Sequence, residues 1–269
     1  MCNVVSQSIL FDAPGPKARA RIRAAAVVSV IIVAAIVAAA LWQLGLKGHL
    51  DPQRWSVLFT GPILSYLGVG LINSLLSGLI AGVIAAPLAV LVAVGRRHGP
   101  RWLRWILSGY VELIRSLPLL VLIYFFFLFL PSVEIKVSPL WQLVIPLVLN
   151  NVAMISDIFR AGMDGVSRGE IEAAHSLGLP SWRVITKVIL PQATAIVLPA
   201  LITQYVRLFK ETSLGFVVSF SELLTRGRVM AEFTHSLFET YALVGATFVV
   251  INILLGWIAR TVQARMSRS

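Results

Sequence analysis

The chain has little charge and almost no cysteine. Charged residues make up 13% of its 269 positions against 58% hydrophobic, and the mean hydropathy is +0.86. A soluble domain of this length needs more polar surface, so a water-soluble globular fold is excluded. Cys2 is the single cysteine, which rules out a disulfide within the chain and a cysteine-based metal site. The four histidines, His49, His98, His175 and His235, are scattered along the sequence. No H-E-x-x-H or G-x-S-x-G occurs, so no catalytic set is legible and the chain is not read as an enzyme. No G-x-x-x-x-G-K-[ST] occurs either, so it carries no P-loop for ATP. Nothing in it calls for a cofactor or a metal.

What the chain does have is long apolar runs. A transmembrane helix needs roughly 20 apolar residues, and six runs qualify: 24–46, 63–95, 106–130, 139–162, 189–221 and 239–259. They are too long, and too poor in strict alternation, for barrel strands. Only helices and closed barrels satisfy every backbone group in lipid, so the predicted fold is an all-α polytopic bundle of about six transmembrane helices. The second and fifth runs are long for one crossing and must include tilt, an interfacial end or a break; Pro87, Pro191 and Pro199 lie in them.

The net charge of +11 is distributed by loop. Lys17, Arg19, Arg21 and Arg23 precede the first run; Arg96, Arg97, Arg101 and Arg104 follow the second. Arg160, Arg168, Arg183 and Lys187 flank the fourth and fifth, and Arg260, Arg265 and Arg268 follow the last. The alternate loops carry only Lys47, Arg54, Lys136, Arg226 and Arg228. This is the positive-inside asymmetry. It argues against nucleic acid as a partner and places both termini and the 163–188 loop in the cytoplasm. The apolar run from Ala24 to Leu46 exceeds the core of a signal peptide and is read as a retained span. The domain reading is a basic tail (1–23), an N-terminal helix (24–46) and a membrane domain (63–260) with a cytoplasmic loop at 163–190.

That loop is unusually well specified. Ser167 and Glu170 stand in the S-x-x-E relation of a capping box, with Glu170 and Glu172 in the first turns. Gly178 fits the C′ position and Pro180 the stop beyond it. A second helix is predicted from Ser181 into the fifth span. Ala173 and Ala174 keep the first helix thin, and Ile171, Ala174 and Leu177 form an apolar edge flanked by Glu172 and His175. A helix lying on headgroups normally carries Lys or Arg on its polar face, whereas 169–178 has two Glu and neither base. The segment therefore reads as a surface for docking a protein rather than lipid.

Polar residues inside the spans mark a pathway or an internal pair. In the fifth span Gln204, Arg207 and Glu211 fall at i, i+3 and i+7, and Thr203, Arg207 and Lys210 form an overlapping stripe. In the fourth, Asn150, Met154 and Asp157 share a face. Two readings stand side by side. In one these side chains line a cleft for a zwitterionic or anionic solute, with Arg207 or Lys210 meeting a carboxylate. In the other Asp157 pairs with Arg160 or Arg207, and Glu211 with a nearby cation. Glu112 with Arg115 reads as a helix-end pair. Trp42, Trp55, Trp102, Trp105, Trp141 and Trp257 fit aromatic belts, and Phe125–Phe127 a lipid-facing or packing run.

The run Glu172-Ala173-Ala174-His175-Ser176-Leu177-Gly178, followed by Ile189-Leu190-Pro191-Gln192-Ala193, resembles the cytoplasmic EAA loop of ABC importer permeases. Tyr110-Val-Glu-Leu-Ile-Arg-Ser-Leu-Pro-Leu-Leu120 is similar to that family's segment before its second core helix. Leu198-Pro-Ala-Leu-Ile-Thr-Gln204 and Lys210-Glu-Thr-Ser-Leu214, which contains Thr212, are similar to its polar amino acid branch. The chain departs from the pattern at Glu170, where Gln is common, at Glu211, where Asp is common, and at Val152–Asp157, where an aromatic A-A-Y-x-x-E run is typical.

The resemblance implies a five-helix permease core preceded by one extra helix, in a bacterial inner membrane. It implies two ATPase subunits docked on the 167–178 helices, a second permease subunit, and a periplasmic or extracellular binding protein delivering a polar amino acid, an acidic one such as glutamate included. The competing class is an ion-gradient-driven transporter or channel, which leaves the capped loop helix unexplained.

Overall fold

The computed structural model describes residues 15–266; Cys2 and Arg268 lie outside them. Every regular element among the described residues is helical. The chain divides into two compact units, 1–56 and 57–269.

The first unit is built on α1 (Pro16–Leu46), with α2 (Pro52–Leu58) running across the unit boundary. Proline at N1 starts α1 eight residues before the apolar run, so Lys17, Arg19, Arg21 and Arg23 belong to its first turns rather than to a separate tail. Hydropathy marks where lipid begins; it does not mark where the helix begins.

The second unit contains α3 (Gly61–His98), α4 (Arg101–Ser116), α5 (Leu119–Ser132) and α6 (Pro139–Asp164). The short α7 (Arg168–Ser176) follows, then α8 (Ser181–Val184), α9 (Leu190–Glu211), α10 (Leu223–Thr234) and α11 (Leu237–Met266). The fifth span runs from Ser181 to Val218. It opens through a π-helical turn (Ile185–Ile189) and closes in a 3₁₀ turn (Thr212–Val218).

The third predicted span, 106–130, is not one straight helix: α4 and α5 meet at 103° across Leu117 and Pro118. Proline disfavours a helical residue before it, and Leu117 is extended (φ −92°, ψ 132°). At the other end of α4 the chain turns back tightly. A Cβ on Gly95 would lie 2.6 Å from Leu107 Cδ1, and one on Gly99 would lie 2.4 Å from the Gly95 carbonyl oxygen. Hydropathy alone cannot see such a bend, because both arms are apolar.

Helices in lipid gain little from the hydrophobic effect and associate where small side chains allow close backbone approach. On α3 the buried face is Gly70, Ser74, Gly78, Ala81, Gly82, Ala85, Ala89 and Ala93, and α6 packs along it with Leu147, Val148 and Ile155. α9 closes the same core through Ala193, Val197 and Leu208. α10 is held against α3 by Asn73 donating to the Ser221 carbonyl (2.7 Å) and by the Leu223 N–H donating to Ser74 Oγ (3.2 Å). Its N-cap is the buried Glu222, which accepts from the Leu224 and Thr225 N–H groups at 2.7 Å each. Burial pushes the Glu222 carboxyl above its ordinary value, and these hydrogen bonds oppose the shift.

The α6–α9 seam makes a sharp prediction. A Cβ on Gly162 would lie 2.2 Å from Val197 Cγ1 and 3.1 Å from the Ala193 carbonyl oxygen. Gly162→Ala is expected to lower stability by about 1–3 kcal/mol, the range for forced overpacking. Thermal melting of the purified chain checks it, and Val197→Ala in the same chain should restore most of the loss.

Candidate functional site

The loop helix α7 is fixed at both ends, though not by the predicted capping box. Ser167 makes no side-chain cap bond. The Glu170 carboxylate instead accepts from the Gln192 side-chain amide on the first turn of α9. A carboxylate turned toward α9 cannot also reach back to its own N-cap, so the contact ties α7 to the fifth span. The other end follows the expectation closely. Gly178 has φ +78°, its N–H donates to the His175 carbonyl (2.9 Å), and the Leu179 N–H donates to the Ala174 carbonyl (3.3 Å). That double bond pattern is a Schellman cap.

The expected apolar edge splits in two. Ala174 is buried and Ile171 half-buried against the main core, while Leu177 is 82% exposed. At three-residue spacing the three side chains fan over about 120° around the helix, and the core takes the first two. The exposed surface includes Gly169, Glu172, Ala173, His175, Ser176, Leu177 and Gly178, a thin face with one carboxylate, one imidazole and one protruding leucine.

The intramembrane polar residues fall into three groups. Asp157 belongs to an ion cluster: Arg96 donates to Oδ1 at 2.6 Å, Arg115 donates to Oδ2, and Arg160 Nε lies 3.9 Å away. Of the two partners foreseen for Asp157, Arg160 is peripheral and Arg207 is engaged elsewhere. Arg115 turns to Asp157 and so does not form the helix-end pair read for it with Glu112. In a second group, facing the core, Gln204 donates to Asn151 Oδ1 (2.9 Å). Thr212 is fully buried and donates to the Phe209 carbonyl (2.7 Å), and Asn150 is buried with Oδ1 lacking a hydrogen-bond partner.

The third group faces outward. Thr203, Arg207 and Lys210 are exposed along α9. Arg207 donates to Glu211 at 2.8 Å across one turn. Thr203 and Lys210 line a groove of about 940 Å³ between α9 and α11. The opposite wall carries Tyr241 and Asn252, which the sequence reading passed over. Asn252 donates to the Phe248 carbonyl (2.6 Å), and its buried Oδ1 has no hydrogen-bond partner. Its signal was present as one amide in the apolar run 248–258. No group of three or more potential metal ligands occurs among the described residues.

Comparison with known proteins places this arrangement. Residues 78–268 match the family described as binding-protein-dependent transport system inner membrane component. A probable amino-acid ABC transporter permease of Sinorhizobium fredii is 30% identical over 218 residues, 81% of this chain and 94% of that protein. A probable glutamine ABC transporter permease of Bacillus subtilis is 32% identical over 200 residues, 74% and 93% of the two chains. The glutamate transport system permease of Corynebacterium glutamicum is 28% identical over 226 residues, 82% of each. Among solved structures, a chain of an amino acid ABC transporter crystallised with histidines aligns with a TM-score of 0.71 at 26% identity, covering 76% of this chain and 95% of that one. An inward-facing methionine ABC transporter aligns at 0.66 with 20% identity, covering 77% and 99%, and shows the shared fold. The α7 loop, the broken α4–α5 span and the α9 stripe all lie inside the matched region, and the chain belongs to the family of binding-protein-dependent transport system inner membrane components, the ABC importer permeases.

Proposed function

We propose that this chain forms the pathway for a polar amino acid in an ATP-driven importer and takes its energy from ATPase subunits docked on α7. The observation that carries the coupling role is the construction of α7. Its inner face is buried, its end is locked by a Schellman cap at Gly178, and its start is tied to α9 through Glu170 and Gln192. A push on Glu172, Ala173 or Leu177 would therefore be transmitted to the span that carries Thr203 and Lys210, rather than lost in a slack loop. Such coupling needs a packed element with two arrangements. The proposed assembly has two permease subunits, two ATPases and an external binding protein, with both termini and α7 on the cytoplasmic side. The names of the relatives support an amino acid as cargo.

The groove between α9 and α11 supplies the chemistry. Lys210 presents a cation to a carboxylate, and Thr203 adds a hydroxyl between apolar walls that include the Asn252 side chain. A charge-assisted hydrogen bond contributes roughly 1.5–3 kcal/mol. Lys210→Ala is thus expected to raise the KM for uptake roughly tenfold to a hundredfold. Arg207→Ala should act mainly on stability, because Arg207 is spent on Glu211, whose second oxygen already lacks a partner. The test is the transporter reconstituted with its binding protein, screened against a panel of amino acids for stimulated ATP hydrolysis and uptake. Unchanged affinity and rate in both variants would reduce the stripe to scaffolding, and no stimulation by any amino acid would overturn the cargo class.

A further inference from the structure

We propose that α4 is a binding site for anionic phospholipid, in which Arg101 and Arg104 hold the headgroup phosphate beside acyl chains laid along Trp102, Trp105, Ile106 and Leu113. At 100° per residue the helix divides into three faces. Val111 and Ile114 are buried against the protein, with Leu103, Leu107 and Tyr110 half-buried on the same side. Trp102, Trp105, Ile106 and Leu113 form a second face, exposed by 66%, 82%, 56% and 59%. Arg101, Arg104, Ser108, Glu112 and Arg115 form the third.

The 103° bend into α5 keeps α4 from continuing that span. α4 is anchored crosswise: Tyr110 donates to the Leu149 carbonyl at 2.7 Å, and Arg115 donates to Asp157. A helix with one apolar exposed face, one charged face and tryptophans between them is built for the headgroup boundary. Charge decides which lipid. Of the three arginines on the polar face, Arg115 is given to Asp157, leaving Arg101 and Arg104 against the single carboxylate of Glu112. On the neighbouring end of α3, Arg96 shares Asp157 with Arg115 and Arg97 pairs with Asp164, so both acids of α6 are already taken and neither offsets Arg101 or Arg104. A guanidinium pairs a phosphate through two parallel hydrogen bonds, and a lipid of net negative charge balances what a zwitterionic one does not.

The test uses the full-length chain in nanodiscs containing equal phosphatidylglycerol and phosphatidylcholine, with retained lipid counted by native mass spectrometry. The native chain should retain phosphatidylglycerol preferentially. In Arg101→Gln/Arg104→Gln that retention should fall about thirtyfold, the roughly 2 kcal/mol carried by two basic groups at an anionic surface. Trp102→Ala/Trp105→Ala should weaken both lipids alike, which separates acyl contact from headgroup recognition. Equal retention of the two lipids by the native chain, or undiminished phosphatidylglycerol on the double arginine variant, overturns the site. So does a Trp105→Cys variant, with Cys2 replaced by serine, that cross-links to a second copy, since protein rather than lipid then covers the face.

Discussion

Replacing Asp157 by alanine is expected to cost about 3 kcal/mol of stability, the low end of the range for stripping one partner from a buried ion pair. The cost falls on Arg96, whose side chain is 9% exposed and whose guanidinium donates to Asp157 at 2.6 Å. Arg115 and Arg160 are about half exposed, at 52% and 50%. Solvent screens them, so they add little once the carboxylate is gone. The variant should melt on the order of 5–10 °C lower in detergent. Asp157→Asn, which keeps an acceptor oxygen but no charge, should fall between. Arg96→Met/Asp157→Leu should recover most of the loss, because a buried pair removed whole leaves no unmatched charge. An Asp157→Ala chain that melts like the native one would show that the cluster does not hold α3, α4 and α6 together.

The largest effect on activity is expected at α7. The Glu172 side chain is exposed and stands on the free face beside Ala173 and Leu177. Glu172→Lys should therefore leave the amount and melting of the chain unchanged while ATP-driven uptake drops to background, because a reversed charge is carried into a desolvated protein contact. Gly178→Val acts differently. The left-handed backbone at φ +78° costs a branched residue roughly 1–2 kcal/mol or more. The last turn of α7 then shifts or frays, and Leu177 loses its position. That variant should keep partial assembly with the ATPase but lose most of the stimulation of hydrolysis by loaded binding protein. Co-purification and stimulated hydrolysis are the measurements. If both variants assemble and stimulate as the native chain does, α7 is not the coupling surface.

Much of the fold was legible along the chain. Long apolar runs can only be helices in lipid, so the number of spans followed from hydropathy. The break after Gly178 followed from the one residue type that accepts φ > 0 there without strain. The segment proposed for coupling was visible because a polar, capped, acid-bearing helix stands out between oily runs. The groove between α9 and α11 was half visible. Thr203 and Lys210 share a helical face and were found by spacing, whereas Tyr241 and Asn252 sit on a helix distant in sequence, and spacing does not reach across helices.

The remaining assignments needed three dimensions. Asp157 looked like a pathway residue, and only packing put it among Arg96, Arg115 and Arg160, whereas Glu211 meets Arg207 one turn away, a pair that helical spacing already allows. Glu170 matched a capping pattern that its contact with Gln192 displaced, because a nearby amide on another helix competed with the local N–H group. The bend between α4 and α5 was equally hidden: both arms are apolar, and direction is not a property of hydropathy.

The sequence by itself determined a helical membrane protein, its apolar runs, the uneven charge of its loops and the capped polar segment between two of them, since these rest on local composition and on backbone preferences. Tertiary structure alone decided which charges neutralise one another across helices and which face outward. Ion pairing depends on distances between residues such as Arg96 and Asp157, 61 positions apart, and no periodicity along one helix encodes them.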